Sequence, residues 1–173
     1  MDQKSVMTPK LAELNAASED DFVRAIGPIY DHSPHFAQRV AAHRPFADAD
    51  RLRHALHQEV NHATEVEQME LIKAHPDLVG RAVLTAESKG EQAAAGLSDL
   101  TTEEVEAFRR NNAAYREKFG FPFIICARMN KKDAILEAFP RRLQNDAAAE
   151  KKAALDEIHK IAALRLHDIL WAN

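Results

Sequence analysis

Two short stretches carry most of the side chains that could do chemistry. His75-Pro76-Asp77-Leu78-Val79-Gly80 places an imidazole where a helical pattern meets a proline, and Ser88-Lys89-Gly90-Glu91-Gln92 sets a hydroxyl, a carboxylate and an amide within five residues. An imidazole of unperturbed pKa about 6.5 can give up a proton and recover it near neutrality. The other three groups can hold a small polar ligand. Two more polar residues fall where the apolar period reserves a place for core. Asn112 interrupts the stripe Val105, Phe108, Tyr115, Phe119, and Arg165 interrupts Leu155, Ile158, Ala162, Ile169. A buried guanidinium requires either a carboxylate partner or an anionic ligand, and the pattern leaves both open.

Each of these residues also has a plainer reading. His75 suits a helix C-terminus, where the dipole favours its charged form. Ser88 and Glu91 have the spacing of a capping box, with Ser88 as the N-cap. His54, His57 and His62 lie on or near one helix but share no clean face, so they read as solvated histidines, and no metal is expected. Cys126 sits inside an apolar run, where a thiol is inert packing with a raised pKa. Ser88 lies in no G-x-S-x-G turn, and the five glycines form no phosphate loop, so no cofactor is expected.

The elements that must position these residues are helices. Thr8-Pro9, Ser18 and Ser33-Pro34 mark three starts, and Pro45 closes the third helix. Leu52, Ala55, Leu56 and Val60 keep the period of a fourth. Thr64-Glu65-Val66-Glu67 opens a fifth as a capping box, with Val66, Met69 and Ile72 inward, and Pro76 stops it near His75. Residues 77–87 read as a connector before the Ser88 helix. Thr101 or Thr102 opens a long helix that Gly120 ends. Phe121-Pro122-Phe123-Ile124-Ile125-Cys126-Ala127 then reads as extended and buried. Its backbone needs hydrogen-bond partners, and a bound ligand is one candidate. Asn130 is the expected cap of a helix interrupted at Pro140, and the last helix runs from about 146 to 171. Asn112 is expected to satisfy main-chain groups of the buried segment.

Composition agrees with this. Valine, isoleucine and the aromatics form no alternating runs, so the fold class is all-α, a multi-helix bundle in a single domain over residues 1–173. The net charge of −4 speaks against nucleic acid. One cysteine, no signal-peptide core and no apolar run of bilayer length point to a cytoplasmic protein with no membrane association.

Taken together, His75-Pro76-Asp77-Leu78 with Gly80, Ser88-x-x-Glu91-Gln92 with Ala95-Gly96-Leu97, Asn112-x-x-Tyr115-x-x-Lys118-Phe119-Gly120-Phe121-Pro122-Phe123-Ile124, and Glu157-Ile158 followed by Arg165-Leu166 resemble the OHCU decarboxylases. Those enzymes act on 2-oxo-4-hydroxy-4-carboxy-5-ureidoimidazoline (OHCU) in the last step from urate to (S)-allantoin. The resemblance covers nearly the whole chain. It implies a cofactor-free homodimeric lyase of purine breakdown, with His75 as proton donor and Glu91 and Arg165 in the catalytic set. It implies substrate contacts from Pro76, Ser88, Glu91, Gln92 and Arg165, and a largely main-chain wall made by Phe123, Ile124, Ile125, Cys126 and Ala127. The connector between His75-Pro76 and Ser88 is shorter than in animal members. Trp171-Ala172-Asn173 lacks a peroxisomal tripeptide, which points to a bacterial-type cytoplasmic enzyme. The competing reading is a helical ureide-binding or interaction module without turnover.

Overall fold

The computed structural model describes residues 6–80 and 84–172. Among them are nine α-helices and no strand: α1 (Pro9–Ala16), α2 (Glu19–Ile26), α3 (His35–Ala41), α4 (Ala49–Asn61), α5 (Glu65–Ala74), α6 (Ala86–Ala94), α7 (Thr102–Phe119), α8 (Lys132–Leu143) and α9 (Ala147–Leu170). The all-α expectation holds. By contacts the chain forms two compact units, one of Met1–Leu71 with Ala162–Asn173 and the other of Ile72–Ile161.

In the first unit two of the three expected starts are capped as the sequence puts them, whereas α3 has Pro34 at its N-cap and the Ser33 hydroxyl donates to the Asp31 carbonyl instead. The Thr8 hydroxyl accepts from the Leu11 N–H at 3.0 Å, and the Ser18 hydroxyl from Asp21 at 3.1 Å, so each short helix starts with an orphan amide satisfied. Leu11, Phe22, Ile26, Phe36, Val40, Leu52, Leu56 and Val60 fill the core at 2 % exposure or less. Arg44 ties the ends of two helices together, donating to the carbonyls of Leu14, Ala17 and Ala41 while its guanidinium lies over Phe22. Asn15 exchanges two hydrogen bonds with the Phe46 backbone and so fixes the chain that leads into α4.

Helix α5 keeps only part of its expected face: Ile72 is buried, Met69 is half-buried, and Val66 points out. Val66 is 67 % exposed, and the inward positions are Gln68, Leu71 and Ile72. Gln68 explains the rotation, because its Nε2 donates to the carbonyls of Val60 and Asn61 and so closes the end of α4. Half of the expected capping box is present: Thr64 accepts the Glu67 N–H, but the Glu67 carboxylate pairs with Arg39 instead of turning back to the cap.

The second unit is organised by α7, α8 and the start of α9. Thr101 and Glu104 form a complete capping box on α7, and Gly120 ends it at φ 77°, a conformation in which a side chain would be strained. Tyr115, Phe121, Phe123, Phe139 and Phe108 make a chain of edge and stacked ring contacts with centroids 3.9 to 6.1 Å apart. Beneath the rings Arg142 and Glu150 form a buried ion pair at 2.9 Å, joined by the Tyr115 hydroxyl and Asn145. Helix α8 starts without a side-chain cap and continues through Pro140 to Leu143, so both expectations for it are corrected. Asn130 is committed elsewhere.

Candidate functional site

The break after α5 is held residue by residue. His75 is 6 % exposed, and its N–H reaches the Ile72 carbonyl at 3.2 Å, so the chain makes one tight turn before Pro76. The histidine is therefore at the helix end as expected, but enclosed rather than projecting freely. The three residues after Pro76 are each gripped by a different side chain. Arg116 Nε lies 3.0 and 3.1 Å from the two Asp77 oxygens, Asn112 Nδ2 donates to the Leu78 carbonyl at 2.8 Å, and Gln92 Oε1 accepts the Val79 N–H at 3.2 Å. Val79 has φ 57°, an outlier for a β-branched residue. At Gly80 a Cβ would meet the Asp77 carbonyl oxygen at 3.0 Å, which accounts for the glycine.

This corrects the expectation for Asn112. Its amide serves Leu78 in the connector and not the buried segment, while its Oδ1 is enclosed without a partner among the described residues.

Helix α6 begins three residues earlier than the sequence suggests. Thr85 is the N-cap and accepts the Ser88 N–H at 3.1 Å. Ser88 is then an ordinary helical residue, 6 % exposed, on the same face as the 8 % exposed Gln92 four positions on. Glu91 is partly buried beside them. Capping therefore does not account for Ser88 and Glu91, and the plainer reading of this pair falls away.

Residues 121–127 are buried and, up to the 3-10 turn Ala127–Met129, non-helical, as expected. Their backbone is anchored at chosen atoms. Arg142 donates to the Ile124 carbonyl, Glu157 Oε1 accepts the Cys126 N–H at 3.2 Å, and Asn130 Nδ2 donates to the Cys126 carbonyl at 2.9 Å. None of the described residues hydrogen-bonds to the Ile125 backbone, although Ile125 is 9 % exposed. Buried backbone left in this way is uncommon.

Burial is the main reason why the Cys126 thiol pKa is raised, and the negative charges of Glu157 and Glu91 raise it further. Helix α6 is joined to the same region by Lys132 N–H on the Ala95 carbonyl and Lys131 Nζ on the Ala94 carbonyl. Pro76, Ser88, Glu91, Gln92, Phe123, Ile124, Ile125, Cys126 and Ala127 all belong to the Ile72–Ile161 unit with His75.

Arg165 belongs to the other unit. Its Nη1 pairs with Asp31 Oδ1 at 2.8 Å and also reaches the carbonyls of Pro28 and Ile29, with the Arg165 side chain 4 % and the Asp31 side chain 1 % exposed. Of the two alternatives that the pattern left open, a carboxylate partner is present, and it is Asp31. In this unit an open groove of about 360 Å³ is lined by His43, Ala55, Gln58, Glu59 and His62, none of them an expected site residue. No group of three histidine, cysteine or acidic side chains among the described residues is arranged to hold a metal ion.

The family model for OHCU decarboxylase matches residues 15–167. The chain belongs to the OHCU decarboxylase family. It is similar to the 2-oxo-4-hydroxy-4-carboxy-5-ureidoimidazoline decarboxylase of Haloferax volcanii, with 44 % identity over 90 % of this chain and 93 % of that one. The protein of the same description from Amia calva is 40 % identical over 92 % and 94 % of the two chains. A crystal structure of (S)-allantoin synthase superposes with a TM-score of 0.77 at 29 % identity, covering 92 % of this chain and 54 % of that one.

Within this OHCU decarboxylase fold, Arg142, Glu157, Asn130, Asp77 and Arg116 hold the segments that carry the expected site residues, although the sequence pattern assigns none of them a part in the site and makes Asn130 a helix cap. Arg142 was legible, since it follows Ile135, Ala138 and Phe139 at helical spacing on their apolar face. Glu157 was not, because one exposed-looking glutamate beside a lysine at i+3 reads as a surface pair.

Proposed function

We propose that the protein catalyses the decarboxylation of OHCU to (S)-allantoin. The observation that carries this reading, beyond family membership, is the junction in the Ile72–Ile161 unit. Gln92 ties α6 to the chain after His75-Pro76, and the Glu91 charge reaches the buried wall at Cys126. These links support a reading in which a hydroxyl, an amide, a carboxylate, an imidazole and the Ile125 backbone groups serve one site.

The chemistry asks for little else. When the carbon–carboxylate bond breaks, carbon dioxide leaves and the electron pair moves into the adjacent C=N bond, so the substrate ring is its own electron sink. A proton must then reach one face of the carbon that bears the ureido group. We assign that proton to His75, a contribution of about 10²–10⁴-fold for a positioned general acid. Pro76, Ser88, Gln92 and the wall of Phe123, Ile124, Ile125, Cys126 and Ala127 hold the ring and the ureido group, and orientation is their contribution to rate. Glu91 accepts from ureido nitrogens or orients His75. Arg165 meets an anionic or carbonyl oxygen of the substrate, a role that rests on the sequence resemblance. Homodimeric assembly and a cytoplasmic setting complete the proposal; no described helix is long and apolar enough to cross a membrane.

The test uses freshly generated OHCU and follows product chirality by circular dichroism. Enantiopure (S)-allantoin formed faster than the spontaneous reaction supports the assignment. Racemic product at the spontaneous rate sinks it in favour of a ureide-binding module, which saturable allantoin binding without turnover would identify.

A further inference from the structure

The backbone around Ile125 is anchored in a pattern that has a geometric consequence. In a trans peptide the N–H and C=O point in opposite directions within one plane, and both peptides flanking Ile125 are trans. Arg142 grips the Ile124 carbonyl, so the N–H of the same peptide, which belongs to Ile125, is turned away from Arg142. Glu157 grips the Cys126 N–H, so the carbonyl of that peptide, which also belongs to Ile125, is turned away from Glu157. One donor and one acceptor are left on a single residue, and neither has a partner among the described residues. That pair is complementary to the N–H and C=O of a cyclic amide or ureide.

We propose that Glu157 is a positioning residue for the proposed reaction, fixing the Ile125–Cys126 peptide so that the Ile125 carbonyl is aimed at an N–H of a ureide substrate. This deepens the function proposed above and rests on it. The surroundings of Glu157 favour this over a surface ion pair. Its side chain is 12 % exposed while its partner Lys160 is 52 % exposed, so the lysine holds only the outer oxygen. The inner oxygen takes a charge-assisted hydrogen bond from backbone, the stronger kind. The thiol beside that amide senses the same carboxylate, which raises its pKa. Asn130 on the Cys126 carbonyl immobilises the following peptide, so the anchor at Glu157 acts on a chain that cannot swing at its far end.

Glu157→Gln keeps an acceptor for the Cys126 N–H and removes the charge, whereas Glu157→Leu removes the acceptor. Two readouts separate the cases: hydrogen exchange at the Cys126 amide, and affinity for OHCU and for allantoin. The expected result for Glu157→Leu is faster exchange at Cys126 and a rise in KM and in the allantoin Kd of about tenfold, with kcat less affected. Glu157→Gln should hold both near the parent values. Unchanged exchange or unchanged allantoin affinity in Glu157→Leu overturns the proposal. So does a glutamine variant as impaired as the leucine variant with a shifted pH profile, which would make Glu157 an acid or base. A parent protein that binds allantoin but does not turn over OHCU removes the enzymatic reading alone, and the exchange and allantoin arms still decide for or against the anchor. A parent that fails to bind allantoin overturns the anchor's proposed purpose.

Discussion

Arg165 Nη1 and Asp31 Oδ1 lie 2.8 Å apart, and both side chains are almost wholly enclosed. The pair answers the demand that a guanidinium on an apolar stripe makes, and it brings α9 and the loop after α2 together inside one unit. Removing either member takes from the other its opposite charge at a buried position, a loss of up to about 3–5 kcal/mol. Asp31→Asn and Arg165→Met should therefore each lower the urea midpoint, with the double variant less destabilised than the sum of the two. If Arg165 also meets substrate, Arg165→Met will lose activity in folded protein at low temperature, where Asp31→Asn retains part of it. Equal stabilities of all four proteins would remove the pair from the folding energetics.

Thr85 and Ser88 divide two roles that the sequence merges. Thr85 accepts the N–H that starts α6, so Thr85→Ala should cost about 1 kcal/mol, read as a fall in thermal midpoint with little change in KM. Ser88→Ala removes no cap. It should raise KM for OHCU by more than Thr85→Ala does, whatever its effect on the midpoint. The reverse pattern would restore Ser88 as a structural residue.

How much of this was legible in the sequence depends on the range of the interaction. Caps, helix periods and the proline stop after His75 are local, and Thr8, Ser18, Thr101 and Gly120 are where local rules put them. Arg165 was visible as a misfit because periodicity assigns burial, but its partner lies 134 positions away and no pattern names it. The α6 start was misplaced because Thr85 and Ser88 both satisfy a capping rule, and the choice between them is made by which face the helix must bury. Asn112 was recognised as an intruder and given the wrong partner for the same reason: the stripe fixes its burial, while tertiary packing decides which carbonyl it meets.

The connector after His75 should respond to two substitutions in opposite senses. Gln92→Leu strands the Val79 N–H, a cost of about 1–3 kcal/mol when such a group cannot reach water. Val79→Gly removes the strain of a β-branched residue at φ 57°, about 1–3 kcal/mol, partly offset by the larger freedom of glycine in the unfolded chain. Urea unfolding should show Gln92→Leu destabilised and Val79→Gly equal to or more stable than the parent. If the turn at Asp77 to Val79 positions His75, both variants lose kcat, so stability and activity will move apart in Val79→Gly. Parallel movement of the two would argue that the strain has no bearing on the site.

His75→Asn preserves a polar side chain of similar size and removes the proton. Turnover should fall by about 10²–10⁴-fold with the helical circular dichroism unchanged. The residual product should drift toward racemate, because an unassisted proton can arrive from either face. Enantiopure product from the variant would place the proton donor elsewhere and leave His75 as a helix-end residue.

The alkaline limit of stability follows from three buried groups whose pKa values are all raised, each chiefly by burial: Cys126 from an ordinary 9.0, and Tyr30 and Tyr115 from 10.0. For Tyr115 the hydrogen bond to Glu150 adds to the rise, while the charge of Arg142 opposes it. In the unfolded chain these groups lose their protons near the ordinary values, before the folded protein releases them. The unfolded state therefore gains as pH rises, so the contribution is complete below about pH 9 and declines above it toward the folded values. Urea midpoints should hold from about pH 7 to 8.5 and fall between about pH 9 and 11, a range in which no carboxylate titrates. Tyr30 isolates the effect, since its hydroxyl is enclosed without a partner among the described residues. Tyr30→Phe removes an unsatisfied polar group and should be neutral or stabilising at pH 7, with a shallower decline above pH 10. A Tyr30→Phe protein that is clearly less stable at pH 7 would mean that the hydroxyl has a partner that holds it.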